Sequence, residues 1–135
     1  MAEQTSRGGI RVDISPGELI DKITILQLKL ERIGDPAKLA NVRHEYDVLM
    51  EVYAHEIVES VALRELTERL KSINAALWEI EDLIREHERA KNFDADFVTL
   101  ARSVYRTNDE RSAVKRAINE LLASKIIEEK SYAAY

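Results

Sequence analysis

The sequence predicts an all-α fold, a four- or five-helix bundle with a long heptad-patterned central helix. Three observations point to it. Apolar residues recur at three- and four-residue steps through most of the chain, the period of a helix with one buried face. Both prolines and all four glycines stand at or before Pro36, so nothing beyond that position interrupts helix as strongly. Helix-start signatures occur at Ser15-Pro16 and again at Asp35-Pro36, each a capping residue followed by a proline whose missing N–H is harmless in a first turn. A chain of 135 residues with 45% hydrophobic content can bury one core. Residues 1–13 are expected to form a flexible or extended arm and residues 14–135 a single helical bundle domain.

Within the arm, Ile10-Arg11-Val12-Asp13-Ile14 alternates apolar and polar like a strand but has no partner strand elsewhere, so an extended lead-in is expected. The first helix begins with Ser15 as N-cap, Pro16 at the first position and Glu18 completing a capping box, with Ile14 and Leu19 placed for a hydrophobic staple. Leu19, Ile23, Leu26, Leu30 and Ile33 form one stripe, while Ile25 and Leu28 point nearly the opposite way. Such a helix is central to a bundle or shared with a second chain, and a homodimer through the second face is expected. Gly34 ends this helix. Asp35-Pro36 starts the next, with Leu39, Val42, Tyr46, Leu49 and Tyr53 inward and a break before Ser60, which caps the third.

From Ala62 comes the longest regular pattern: Leu63, Leu66, Leu70, Ile73, Leu77, Ile80, Ile84 and His87 in four-three steps, the spacing of left-handed helix packing and of coiled coils. Asn92 interrupts it and Asp94 caps a fourth helix with Phe97, Leu100, Ala101 and Val104 inward. Thr107-Asn108-Asp109 either caps a fifth, with Val114, Ile118, Leu121 and Leu122 inward, or marks a bend in one long helix. The apolar and aromatic tail from Ile126 to Tyr135 is able to dock back.

Composition removes several function classes. There is no cysteine, and His44, His55 and His87 stand at no close ligand spacing, so no metal site is expected. A net charge of −5 disfavours nucleic acid and anionic lipid as partners. No apolar run is long enough to cross a bilayer and the N-terminus lacks a signal-peptide core, so a cytoplasmic protein without membrane insertion is expected. Gly-rich phosphate loops, nucleophile elbows and calcium loops are absent, so no catalytic residue and no cofactor is assigned and the reading leans away from an enzyme.

Four constellations remain. Ser15-Pro16-Gly17-Glu18 offers helix N–H groups to a phosphate, but Glu18 already puts an anion there and a capping box explains the residues more simply. Lys22 and Lys29 share a side of the first helix, with Glu18 one turn before Lys22 as a ready partner. Asn74, Trp78, Glu81 and Arg85, with Glu88, make a polar stripe beside the heptad seam that includes the only tryptophan; they are candidates to line a groove or an interface. Lys22, Arg102, Tyr105, Arg106, Asn108 and Arg111 are the candidate ligand-binding set, because paired guanidinium groups one turn apart hold carboxylate or phosphate bidentately.

The segments Ile14 to Leu26, Asn74 to Asp82, Phe93-Asp94 through Leu100 to Tyr105 with Asn108-Asp109, and Glu128 to Tyr132 resemble a small bacterial domain family of unknown function. That family is associated with gene neighbourhoods for surface polysaccharide or lipopolysaccharide synthesis. The resemblance implies a pathway without implying an activity: a helical binding or assembly module, with a protein partner in glycan assembly. The alternative is a small enzyme or sensor that binds an anionic metabolite, such as a nucleotide sugar or a carboxylate, through the Lys/Arg cluster, with Glu81 or Glu18 as acid or base. The chain is also similar, in size and helical content, to the all-helical chorismate mutases; Lys22 and Lys29 stand where such an enzyme presents arginine, and no site carries over.

Overall fold

The computed structural model describes residues 8–135, and among them four helices and no strand. Residues 1–7 of the expected arm lie outside the described residues; from Gly8 to Ile14 the chain forms no helix or strand and is exposed. The helices are α1 Pro16–Arg32, α2 Pro36–Glu56, α3 Val61–Ala90 and α4 Ala95–Leu121.

Local chemistry sets most of these boundaries. Ser15, Ser60 and Asp94 each accept a side-chain hydrogen bond from the third residue of the following helix, at 3.1 Å in every case. Asp35 caps α2 by position only, without a side-chain bond. Lys91 ends α3 in the left-handed region, its N–H returning to the α3 carbonyls of His87 and Glu88. α4 runs without a break through Thr107, Asn108 and Asp109, so these residues start no fifth helix. An Asx cap needs an extended backbone before it; here the preceding turns already satisfy the N–H groups.

Packing makes α1 the hub. α3 and α4 form an antiparallel hairpin, α1 lies against both, and α2 packs on α1 alone. Ile20 of α1, Leu63 and Leu70 of α3, and Val114 and Ile118 of α4 form the fully buried core, flanked by Tyr53, Ile57, Leu66, Ile73 and Leu122. Each such side chain stabilises the fold by about 1.5–3 kcal/mol. Leu19, Ile23 and Leu26 are buried on one face of α1, and Leu28 is 3% exposed on the other. Ile25, on the same side as Leu28, is half-buried.

The bundle is lopsided. α3 at 30 residues is about 45 Å long against about 26 Å for α1 at 17 residues. Arg32, the last residue of α1, lies over the ring of Trp78, at 5.7 Å from its centre. Beyond this point α3 and α4 continue as a two-helix arm. The heptad seam records the change: Leu63 and Leu70 are fully buried, whereas Leu77, Ile80 and Ile84 are only half-buried.

Candidate functional site

Where α1 crosses the hairpin, a carboxylate sits inside the protein. Asp21 is 1% exposed. A buried carboxylate is tolerated only when paired and hydrogen-bonded, and three helices supply the partners. From α4, Arg111 grips it with both ends of the guanidinium fork, Nε donating to Oδ1 at 3.0 Å and Nη2 to Oδ2. From α3, Asn74 Nδ2 donates to Oδ1 at 2.9 Å and is shared with Thr24 Oγ1 at 3.0 Å. Thr24 itself donates to the Asp21 carbonyl at 2.8 Å.

Lys115, one turn after Arg111, extends the network. Its ammonium lies 2.8 Å from Glu18, 3.9 Å from Asp21 and 3.4 Å from Glu128 of the tail, with only 11% of the side chain exposed. Burial works against that charge, but the hydrogen bond to Glu18 and the fields of Asp21, Glu18 and Glu128 outweigh it and hold Lys115 above its ordinary pKa. Arg111 is likewise held up, chiefly by its hydrogen bonds to Asp21. Among the described residues no buried side-chain polar atom lacks a partner. The ion cluster is thus closed on itself, and it fixes Asn74 and Arg111 in place.

The N-terminus of α1 is closed in the same way. Gly17 N–H donates to Asn119 Oδ1 at 2.7 Å, and a Cβ at Gly17 would stand 2.5 Å from the Lys115 carbonyl oxygen. Only glycine allows α1 and α4 this approach. Glu18 does not return to Ser15 to complete a capping box; its carboxylate is drawn to Lys115 and, at 3.8 Å, to Lys22. Ile14 is left 41% exposed, a weak half for a staple.

Above the cluster runs an open groove of about 480 Å³, with Asn74 and Arg111 in its floor. Ile25 and Leu28 form its α1 side, Leu77, Trp78, Glu81, Asp82 and Arg85 its α3 side, and Asn108 and Arg111 its α4 side. The Asn74, Trp78, Glu81 and Arg85 stripe read from the sequence therefore lines one wall, and two of the candidate ligand-binding residues, Asn108 and Arg111, face it. Arg85 pairs with Glu81 one turn before it. The other four candidates lie elsewhere. Lys22 is exposed on α1, paired with Glu18. Arg106 spreads its guanidinium over the ring of Tyr135, 5.3 Å from the centre. The Arg102 guanidinium beside the Tyr105 hydroxyl is the main cause that lowers that tyrosine's pKa, with Arg106 adding to it.

Sequence reasoning missed Asp21, Thr24, Lys115, Asn119 and the packing role of Gly17. A signal was present. Asp21, Ile25 and Leu28 stand at i, i+4 and i+7, so a lone carboxylate occupies an apolar face, and Arg111, Lys115 and Asn119 repeat at four-residue steps on the only helix with two cations so spaced beside an amide. Among the described residues no group of three or more His, Asp or Glu is arranged to hold a metal ion, and no helix is long and apolar enough to cross a membrane.

A family model described as "Family of unknown function (DUF6165)" matches residues 10–135, and the chain belongs to that family. No curated protein and no solved structure matches the chain.

Proposed function

We propose that this member of a family of unknown function is a non-catalytic binding module of the bacterial cytoplasm, accessory to surface-glycan biosynthesis, and that it works through the groove between α1, α3 and α4. One observation carries the reading: Asn74, Trp78, Glu81 and Arg85 from α3 meet Asn108 and Arg111 from α4 in a single concave surface over a rigid ionic floor. An aromatic ring beside amides and a carboxylate–guanidinium pair suits a sugar, whose ring faces are apolar and whose rim is hydroxyl. The link to glycan synthesis rests on the resemblance of the Ile14 to Leu26 and Asn74 to Asp82 segments.

The groove's charges favour this over an anionic metabolite. Arg111 is spent on Asp21 and Arg85 on Glu81, while Lys22, Arg102 and Arg106 have other partners outside the groove. Glu81 and Glu18, the two acid–base candidates, are both held in ion pairs.

A thermal-shift panel of free sugars, phosphorylated sugars and nucleotide sugars tests the proposal. A ligand at a hundred times its dissociation constant adds about 2.7 kcal/mol, or roughly 10 °C for a chain of this size. The expected result is a shift that Trp78→Ala and Asn108→Ala abolish. A shift that both variants retain places the ligand elsewhere and ends the proposal; silence across the panel favours a protein partner in the same pathway.

A further inference from the structure

The tail beyond α4 supplies an observation that the groove does not use. From Lys125 to Tyr135 it forms no helix or strand and every residue is exposed, including Ile126 and Ile127 at 43% and 42%. It nevertheless runs back along α4 in a fixed course. Glu128 reaches Lys115 at 3.4 Å and Glu129 reaches Arg116 at 3.3 Å. Six residues later the Tyr135 ring meets Tyr105 edge to face, centres 5.0 Å apart, beneath the Arg106 guanidinium, and its hydroxyl donates to Asp109.

Between these two anchor points the tail stands off the helix. A space of about 170 Å³ lies between Glu128 to Lys130 and the Ser112, Arg116 and Asn119 side of α4, and one of about 620 Å³ lies under Tyr132 to Tyr135. The attachment is side chain to side chain: among the described residues, no main-chain group after Ile126 hydrogen-bonds to α4. A segment that completed a core would bury Ile126 and Ile127 and leave no such voids. What holds it is two ion pairs whose carboxylates are exposed, one aromatic contact under the Arg106 guanidinium, and the Tyr135–Asp109 hydrogen bond, each available to any chain with the same side chains.

We propose that the outer face of α4, from Tyr105 to Arg116, is a docking surface for an extended acidic segment of a partner protein, two adjacent carboxylates followed about six residues on by a tyrosine, and that the chain's own tail occupies it as the resident competitor. The α4 face offers cations at one end, for carboxylates, and at the other an aromatic–guanidinium pocket with a carboxylate acceptor for the phenol. A short tether gives the tail a local concentration in the millimolar range, so it is seated until an incoming segment competes. The inference rests on the tail contacts and stands apart from the groove reading.

The probe is a fluorescein-labelled peptide with the sequence of residues 126–135, followed by anisotropy against full-length chains. For a peptide with an intrinsic dissociation constant near 100 μM, a millimolar tether masks binding about tenfold. Glu128→Lys/Glu129→Lys, which lifts the tail by repulsion from Lys115 and Arg116, and Tyr135→Ala, which removes the other anchor without changing charge, should each bind the peptide about tenfold more tightly than the wild type. Adding Arg106→Glu and Arg116→Glu to Tyr135→Ala should remove binding, while circular dichroism reports unchanged helix. Equal affinity in wild type and released-tail chains, or equal binding of a scrambled peptide, overturns the proposal. Light scattering that shows the wild type dimerising with concentration, and Tyr135→Ala not, replaces the partner protein with a second copy's tail and overturns it also.

Discussion

Replacing Asp21 by asparagine keeps the shape of the buried carboxylate and removes its charge. The Arg111 fork and the Lys115 ammonium then face each other across a neutral amide, with Lys115 leaning on Glu18 and Glu128 alone. Removing one partner of a buried, hydrogen-bonded pair costs about 3–5 kcal/mol. Arg111 keeps 29% of its side chain in solvent, so some rehydration is available and the lower end, about 3 kcal/mol, is expected. With an unfolding entropy of about 2.1 cal/mol/K per residue, this corresponds to a Tm lowered by roughly 10 °C. Thermal denaturation followed by circular dichroism at 222 nm, at fixed protein concentration, measures it. The double variant Asp21→Leu/Arg111→Met removes both charges together and should be less damaging than Asp21→Leu alone, because no uncompensated guanidinium remains. A loss below about 1 kcal/mol in Asp21→Asn would refute the reasoning, as would strict additivity of the two substitutions in the double variant.

Three further outcomes follow from the same geometry. Gly17→Ala would press a methyl to 2.5 Å from the Lys115 carbonyl and should lose about 1–3 kcal/mol through overpacking, whereas Gly34→Ala, with nothing within 4 Å, should change denaturant midpoints hardly at all. Ser60→Ala removes the bond to Leu63 N–H and should cost about 1 kcal/mol with no change in helix content. The Tyr53 hydroxyl is pushed up to about 12, first by burial and then by its hydrogen bond to Glu59; a raised pKa means the folded state holds the proton more tightly, so its stabilisation is complete below pH 10 and lost as pH rises from about 10 to 12. Urea titrations across that window should show a shallower alkaline loss in Tyr53→Phe than in the wild type, and parallel slopes would contradict this cause.

Local chemistry was legible in the residues; long-range pairing was not. Ser15, Ser60 and Asp94 could be read as caps because a cap and the N–H it satisfies are three residues apart. The heptad of α3 was readable for the same reason. Ile25 and Leu28 are legible as a second apolar face of α1, but the groove they line is completed by α3 and α4, far along the chain, and a face pattern alone does not show which elements meet there. The Asp21 cluster joins residues 53 and 90 positions apart, and each member is, taken singly, an ordinary polar residue on a helix. By charge alone Arg111 groups with Arg102 and Arg106, its neighbours on the same helix. The 100° turn per residue instead directs Arg111 toward α1, while Arg102 and Arg106 meet at Tyr105 on the tail side.

The groove reading is most directly tested through its own chromophore. Trp78 is the only tryptophan in the chain and lines the groove, so its emission reports what enters. A sugar or sugar conjugate that stabilises the protein should shift Trp78 emission saturably, with the dissociation constant that its thermal shift implies. Arg85→Ala and Asn108→Ala should weaken both readouts together and Arg116→Glu, on the tail face, neither. A ligand that raises the Tm while leaving Trp78 emission unchanged, and that binds the Arg85 and Asn108 variants as tightly as the wild type, would contradict the assignment of the groove as the working site.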